Sequence, residues 1–415
     1  MTARTIRTRL AIIVAPALLA AACGDDDGEA VAPADQSSET DNQPDTVEPD
    51  TIEVDEAALQ AVLDEWRTDV DAFGATLSIR VPGHDDVHLA SGVDDRDPET
   101  PMPTDGTYSI MSVTKTFVAA AALQLVDEGR LSLDEPVEPW LPELPNADEI
   151  TLAMLLGHTA GLGDWDNVPA VLEDLARSFT AEEVVAENAE APPYGQPGEH
   201  FAYTNGGYAA VGLMIERELD QDLAAVIEER FAHPLSLNDT FFIDDSTKPT
   251  RHGWFSLPDD PDPDLPLDYL DFPPEAYFTS LFGSAGMASS SEDMLGWGEA
   301  LYSGDLLSEE TTASMLEMRS SFSLDVATDR LRVTDRPTPL HYGLGAMGFC
   351  LDQTGCSPSE VDLVGHSGQG VGTRTLVAHH PESGTTIVVH ANLDAINLPD
   401  LIPLLPDVLQ QLGIT

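Results

Sequence analysis

The sequence predicts an α+β fold: one antiparallel sheet built from both termini, flanking helices, and a mostly helical lobe inserted over about residues 130 to 300. Three observations predict it. Near the N-terminal end, ATLSIRV and DVHLAS are strand-like runs on either side of the turn PGHD. The middle of the chain carries helical spacing broken repeatedly by proline and glycine. Further strand-like runs crowd the C-terminal part. Strands at both ends with helices between them are accommodated by pairing the end strands in one sheet.

Taken in order, residues 1 to 22 read as a signal peptide. MTARTIRTRL carries Arg4, Arg7 and Arg9 and no acid, and an apolar run follows from Leu10 to Ala22. That run is too short for a permanent bilayer anchor. Ala20-Ala21-Ala22 suits ordinary signal cleavage, whereas Cys23 directly after it suits a bacterial lipoprotein site. Lipidation of Cys23 is the expectation, although Ala20 stands where such sites usually carry leucine. Either route puts the mature chain outside the cytoplasm, and lipidation would hold it on the extracytoplasmic side of the cell membrane. Residues 23 to 56 read as the lipid-anchored tether. Residues 24 to 56 contain thirteen acids, no base and almost no large apolar side chain. Such a segment buries too little surface to fold, and its like charges keep it extended.

Residues 57 to 415 form the expected folded domain. AALQAVLDEWRTDV spaces Leu59, Val62, Leu63 and Trp66 on one helical face. A second helix is predicted over 112 to about 128, ended by Gly129. The acidic stretch SLPDDPDPDLPLDYLDFPPEAY, residues 256 to 277, predicts a long loop. Met294 and Trp297 take core positions of a later helix. YGLGAMGFC, VDLVGHSG, TRTLVAHH and TTIVVHAN follow as strand-like runs, the last two joined by a Pro-Glu-Ser-Gly turn. LPDLIPLLPDVLQQL closes the chain as a helix packed back on the sheet.

The charge is one-sided, with 74 acids against 18 lysines and arginines and a net charge of −56. It extends beyond the tether into the domain, which excludes nucleic acid and anionic membrane surfaces as partners. The pattern reads as a solvated surface adapted to high salt, where screening weakens self-repulsion. Three cysteines are an odd number for an exported chain. With Cys23 lipidated, Cys350 and Cys356 remain in CLDQTGC, a spacing that suits a disulfide across a turn. Two free thiols or a metal pair are the alternatives, and a metal would want more Cys or His nearby.

The chemistry starts from a scarce residue. The chain has two lysines, Lys115 and Lys248, and Lys115 stands three residues after Ser112 in SIMSVTKTF. On a helix these positions share a face, so the amine reaches the hydroxyl locally. Serine is a poor nucleophile without a base, and a desolvated lysine with a lowered pKa supplies one. A helix N-terminus also favours negative charge developing at the serine. Chance alone produces a Ser-x-x-Lys in roughly one chain in eight of this composition, so the pair carries little weight by itself.

Two further elements accompany it. Tyr203-Thr204-Asn205 lies in a turn-rich entry to a helix, where Tyr203 could shuttle a proton and Asn205 could orient a substrate carbonyl and the lysine. Most Tyr-x-Asn triplets are structural. His366-Ser367-Gly368 ends a strand-like run, and Gly368 would admit a ligand close to the backbone. The Gln369 amide could pair with the Ser112 amide to hold an oxyanion. Other residues read as structural: His158 as a satisfied core histidine at a helix end, and Asp164, Trp165 and Asp166 as loop-shaping. His379 and His380 would point to opposite faces of a strand and so make a poor metal pair.

In this order the three elements resemble the markers of the serine β-lactamase and penicillin-recognising peptidase superfamily. Tyr203 in the second motif is similar to class C β-lactamases, D,D-carboxypeptidases and related esterases and D-aminopeptidases. MLLGHTAGLGDW and GSAGMASSSEDMLGW resemble further stretches of that group. The resemblance covers about residue 57 to the C-terminus. It implies a β-lactamase/transpeptidase-like fold and an acyl-enzyme on Ser112, with Lys115 and Tyr203 sharing the proton work. Asn205, His366, Ser367, Gly368 and Gln369 would then bind substrate, and no metal or organic cofactor is needed.

One position departs from the pattern. His366 stands where many β-lactamases carry lysine, and an unperturbed histidine is mostly neutral at pH 7. Arg374 on the next strand is a candidate for the missing cation. The expectation is an exported serine hydrolase, acting as a monomer on a small-molecule or peptide substrate, peptidoglycan among them. A β-lactamase and a non-catalytic cell-wall-binding lipoprotein are the alternatives.

Overall fold

A computed structural model describes residues 54–244, 247–255, 266–325, 330–333, 338–393 and 396–414. The expected signal peptide, Cys23 and the tether up to residue 53 lie outside the described residues, as does 256–265 of the acidic stretch. The last tether residues already belong to the domain. Asp55 caps the helix Glu56–Asp69, its carboxylate accepting from the Ala57 and Ala58 amides. A cap of this kind satisfies first-turn donors that have no partner within the helix. Leu59, Leu63 and Trp66 are buried from that helix, with Val62 half-buried beside them.

The central sheet is ten-stranded and antiparallel. From edge to edge it runs Arg330–Val333, Ser320–Asp325, Leu340–Tyr342, Met347–Phe349, Leu363–Gly370, Thr373–His380, Thr385–Ala391, Gly74–Arg80, Val87–Arg96 and Glu99–Pro101. The two ends of the chain meet inside it. Gly74–Arg80 pairs with Thr385–Ala391 in a register that sets Ala75 opposite Ala391 and Ile79 opposite Ile387. TTIVVHA lacks polar alternation because both of its faces are covered: Ile387 and Val389 enter one core and Val388 the other.

The first of these cores packs the sheet against Glu56–Asp69 and the closing helix Leu404–Gln411, through Leu63, Leu77, Leu376, Leu405 and Leu409. The second packs the opposite face against the helical lobe, including Thr114–Asp127, Asn205–Leu219 and Ser291–Tyr302. Thr114–Asp127 is buried nearly all round, as expected of a helix at the centre of a core. Trp297 stacks on Phe117 at 3.7 Å and donates to Thr116 Oγ1 at 2.8 Å, and Met294 is fully buried beside it in sequence.

Several elements differ from expectation. YGLGAMGFC is two strands, because Gly345 at φ 81 turns the chain between Tyr342 and Met347. The closing helix breaks at Pro403 into Leu398–Leu401 and Leu404–Gln411. Residues 266–277 of the supposed loop contain the short strand Leu267–Asp268, a 3₁₀ turn and the start of the helix Glu275–Leu281. The helical lobe also carries Phe241–Phe242 and Met287–Ser290, which form a small sheet with Thr107–Ser109. That small sheet delivers the chain directly to Ser112.

Candidate active site

Ser112 lies in a 3₁₀ turn, Met111–Val113, that runs straight into the helix Thr114–Asp127. Met111 takes φ 47, a left-handed conformation that costs a non-glycine residue about 1–3 kcal/mol and persists only where packing enforces it. The packing comes from the strand Leu363–Gly370. A Cβ at Gly368 would sit 2.0 Å from the Ile110 carbonyl oxygen, and one at Gly370 would sit 1.9 Å from Met111 Cε. Gly368 therefore admits the Ser112 turn itself.

Lys115 is 0% exposed. Its ammonium donates to Ser112 Oγ at 3.0 Å, to Asn205 Oδ1 at 2.8 Å and to the Ser284 carbonyl at 2.9 Å. Loss of water pushes its pKa down to about 7, against a smaller upward pull from Asp164. The Tyr203 ring lies 4.9 Å from Nζ and the Tyr208 ring 5.6 Å away. Near neutral pH the amine is thus deprotonated for a large part of the time, with the serine hydroxyl in reach. Lys248, by contrast, is exposed.

Tyr203 and Asn205 flank Thr204, the N-cap of the helix Asn205–Leu219. Asp164 builds this entry. Its carboxylate accepts from Thr204 Oγ1 at 2.5 Å and from the Gly206 amide at 2.9 Å. Burial raises the Tyr203 pKa well above the usual phenol range, and the hydrogen bond from Ser112 only partly offsets it. The hydroxyl therefore stays protonated near neutral pH.

The third motif divides between two faces of its strand. His366 and Gly368 share the face of Val364, toward the helical lobe, while Ser367 and Gln369 share that of Leu363. Ser367 Oγ rests on Met347 Sδ at 3.6 Å, and Gln369 Nε2 meets Asn397 Oδ1 at 3.5 Å. The side chains of these two residues thus meet the other core, and the oxyanion role expected of Gln369 concerns its backbone amide. His366 is 0% exposed, with Nδ1 donating to the Ser367 carbonyl at 2.7 Å and Nε2 bound to the Tyr342 hydroxyl at 3.0 Å. Burial first, and then Lys115, lower its pKa to about 3. It is neutral, and both of its nitrogens are engaged within the protein. Arg374 supplies no substitute: it points with Leu376 to the other core, donating to the carbonyls of Ile396, Gly370 and Thr373.

Tyr342 had no motif to mark it. Its hydroxyl lies between His366 Nε2 and His158 Nε2, the latter at 3.1 Å, and His158 Nδ1 accepts from the Thr204 amide at 3.2 Å. Ser284 contributes through a main-chain carbonyl, which side-chain patterns do not reveal. Asn205 and Ser284, both partners of Lys115, also line a small cavity bounded by Trp165, Ala209, Leu281 and Val184. Away from the cleft, Cys350 and Cys356 form a disulfide, so their sulfurs are unavailable as metal ligands despite His341 beside them. His379 and His380 bond separately, to Thr386 and Ser383.

Known proteins resemble this chain in sequence and in fold. The Beta-lactamase family model matches residues 59–401. Esterase EstB of Burkholderia gladioli is 32% identical over 290 residues, covering 62% of this chain and 72% of that protein. Penicillin-binding protein 4* of Bacillus subtilis (strain 168) is 24% identical over 342 residues, covering 77% of this chain and 68% of that protein. The crystal structure of D-amino acid amidase from Ochrobactrum anthropi SV3 shares the fold, with a TM-score of 0.72 at 22% identity, covering 85% of this chain and 98% of that one. The chain belongs to the beta-lactamase family and is a serine hydrolase of the β-lactamase and penicillin-binding-protein superfamily.

Proposed function

We propose that this chain is an exported, lipid-anchored acyl hydrolase that works through a Ser112 acyl-enzyme on ester, amide or D-Ala-type peptide substrates. The observation that carries the reading is the buried Lys115 amine 3.0 Å from Ser112 Oγ, with its pKa lowered to about 7. Lys115 takes the hydroxyl proton as Ser112 Oγ attacks the substrate carbonyl carbon. The oxyanion sits between the Ser112 and Gln369 amides. Tyr203 passes a proton to the departing alkoxide or amine as the acyl bond breaks. A water then attacks the acyl-serine, its proton returns by the same groups, and the acid leaves as Ser112 regains its hydrogen.

Esters and amides lacking a carboxylate are the favoured substrates. His366 is buried, neutral and fully engaged, and Arg374 faces the opposite core, so neither offers a cation to a substrate carboxylate. Esterase EstB is among the relatives, which supports ester substrates. A β-lactamase is the second reading, supported by the family match and by penicillin-binding relatives. Export draws on the N-terminal pattern and on the disulfide, which persists in oxidising compartments.

The test is a panel of p-nitrophenyl esters, amino amides, D-Ala-D-Ala peptides, nitrocefin and a fluorescent penicillin, beside Ser112→Ala. Turnover of neutral esters that is lost in Ser112→Ala supports the proposal. Neither turnover nor serine-dependent labelling would identify a non-catalytic cell-wall-binding lipoprotein. Labelled fatty acid incorporated by the wild type and not by Cys23→Ser tests the anchor.

A further inference from the structure

We infer that His158 is a positioning residue that fixes Tyr203 from beneath; the inference rests on the reading of Tyr203 as a proton-handling group. By sequence His158 is a core histidine, and it is indeed buried with both nitrogens satisfied. Its partners give it a more specific task. It grips the chain on both sides of Tyr203: the Ala202 amide donates to the His158 carbonyl at 2.8 Å, and the Thr204 amide donates to Nδ1 at 3.2 Å. Between these two bonds its ring lies against the Tyr203 ring, with centroids 4.1 Å apart. Peptide groups and aromatic face together determine where the Tyr203 hydroxyl stands relative to Ser112.

The same contacts set the protonation pattern. Because Nδ1 accepts from a backbone N–H, the proton of neutral His158 lies on Nε2 and is donated to the Tyr342 oxygen. The Tyr342 hydroxyl hydrogen is then free to donate to His366 Nε2, and His366 Nδ1–H donates to the Ser367 carbonyl. The chain of bonds thus runs in one direction from the Tyr203 turn to the third-motif strand. His158 holds this place with φ 57, a conformation open to asparagine at little cost. Asparagine also offers an acceptor near the position of Nδ1, but no ring and no bond to Tyr342.

Ester hydrolysis by the full chain is measured for wild type, His158→Ala, His158→Asn and Ser112→Ala, together with amide hydrogen exchange at Ala202 and Thr204. For His158→Ala the expectation is a fall in kcat of about 100-fold with KM within about twofold, because a small displacement of a proton-handling group costs rate rather than binding. His158→Asn should recover about tenfold of that loss and restore protection of the Thr204 amide. An alanine variant with wild-type kcat at a temperature where both are folded overturns the inference, as does an asparagine variant no better than alanine. If His158→Ala does not fold, His158→Asn decides alone: kcat about tenfold below wild type at unchanged KM supports the role, and wild-type kcat overturns it. Absence of serine-dependent turnover in the wild type would instead refute the functional reading. Hydrogen exchange would then decide on its own, since Thr204 protection lost in His158→Ala and kept in His158→Asn supports the grip, and equal protection in all variants overturns it.

Discussion

The two faces of the central sheet are buried alike and built of different material. One meets the helices Glu56–Asp69 and Leu404–Gln411 through Leu63, Leu77, Leu376, Val389, Leu405 and Leu409. On the other, around Ser112, buried polar groups join the apolar core: Lys115, His158 and His366, each satisfied by a named partner, with the Tyr342 hydroxyl reaching them from a ring packed in the first core. Hydrocarbon packing is non-directional and tolerates exchange of one side chain for another of similar volume. A buried polar network has no such latitude, because each donor left without an acceptor is costly in a dry interior. The first face supplies stability, and the second holds a reactive geometry in place.

Substitutions should separate these roles. Ser112→Ala is expected to lower ester turnover by about 10⁴-fold or more with an unchanged melting temperature, measured by steady-state kinetics and calorimetry. Lys115→Arg comes next, at about 10³-fold in kcat, because guanidinium stays protonated and does not accept the hydroxyl proton. Leu409→Ala should do the reverse, costing about 2–5 kcal/mol in denaturant unfolding while kcat at 25 °C is preserved. A loss of kcat in folded Leu409→Ala would break the division between the faces. Tyr203→Phe is expected to reduce kcat by about 10²-fold with little effect on KM.

The pH dependence sharpens the same contrast. The lowered Lys115 pKa means that the base is protonated and inactive below about 7, so kcat/KM should rise through that pH toward an alkaline plateau. The sign for stability agrees. Between pH 7 and the ordinary lysine value the unfolded chain binds the proton that the folded chain has released, so this group's burial penalty is relieved as pH rises. The smallest effect is a modest rise in melting temperature with added salt, as screening reduces repulsion in a chain of net charge −56.

Legibility from sequence followed how local each feature is. TRTLVAHH and TTIVVHAN carry dense β-branched or aliphatic runs and became Thr373–His380 and Thr385–Ala391. SSFSLD has few such residues, and its strand is defined by pairing with Leu340–Tyr342 rather than by its own composition. Ser112 and Lys115 share one helical turn, so their 3.0 Å contact was readable from spacing. The fate of His-Ser-Gly was not, because strand alternation tells which residues share a face and leaves open which core each face meets. Only the packed sheet turns Ser367 toward Met347 and engages His366 with Tyr342. Asp164 read as loop-shaping, and it shapes the loop that carries Tyr203.

The placement of Gly74–Arg80 between Thr385–Ala391 and Val87–Arg96 has a consequence for biogenesis. As the polypeptide leaves the ribosome, its first hairpin must wait, with one rim open, for a segment synthesised some three hundred residues later. Closure over such a separation is intrinsically slow. Until it happens, that exposed rim invites pairing with other nascent chains, so a holding chaperone or delivery in an unfolded form should decide the yield of this protein more strongly than the strength of its finished core.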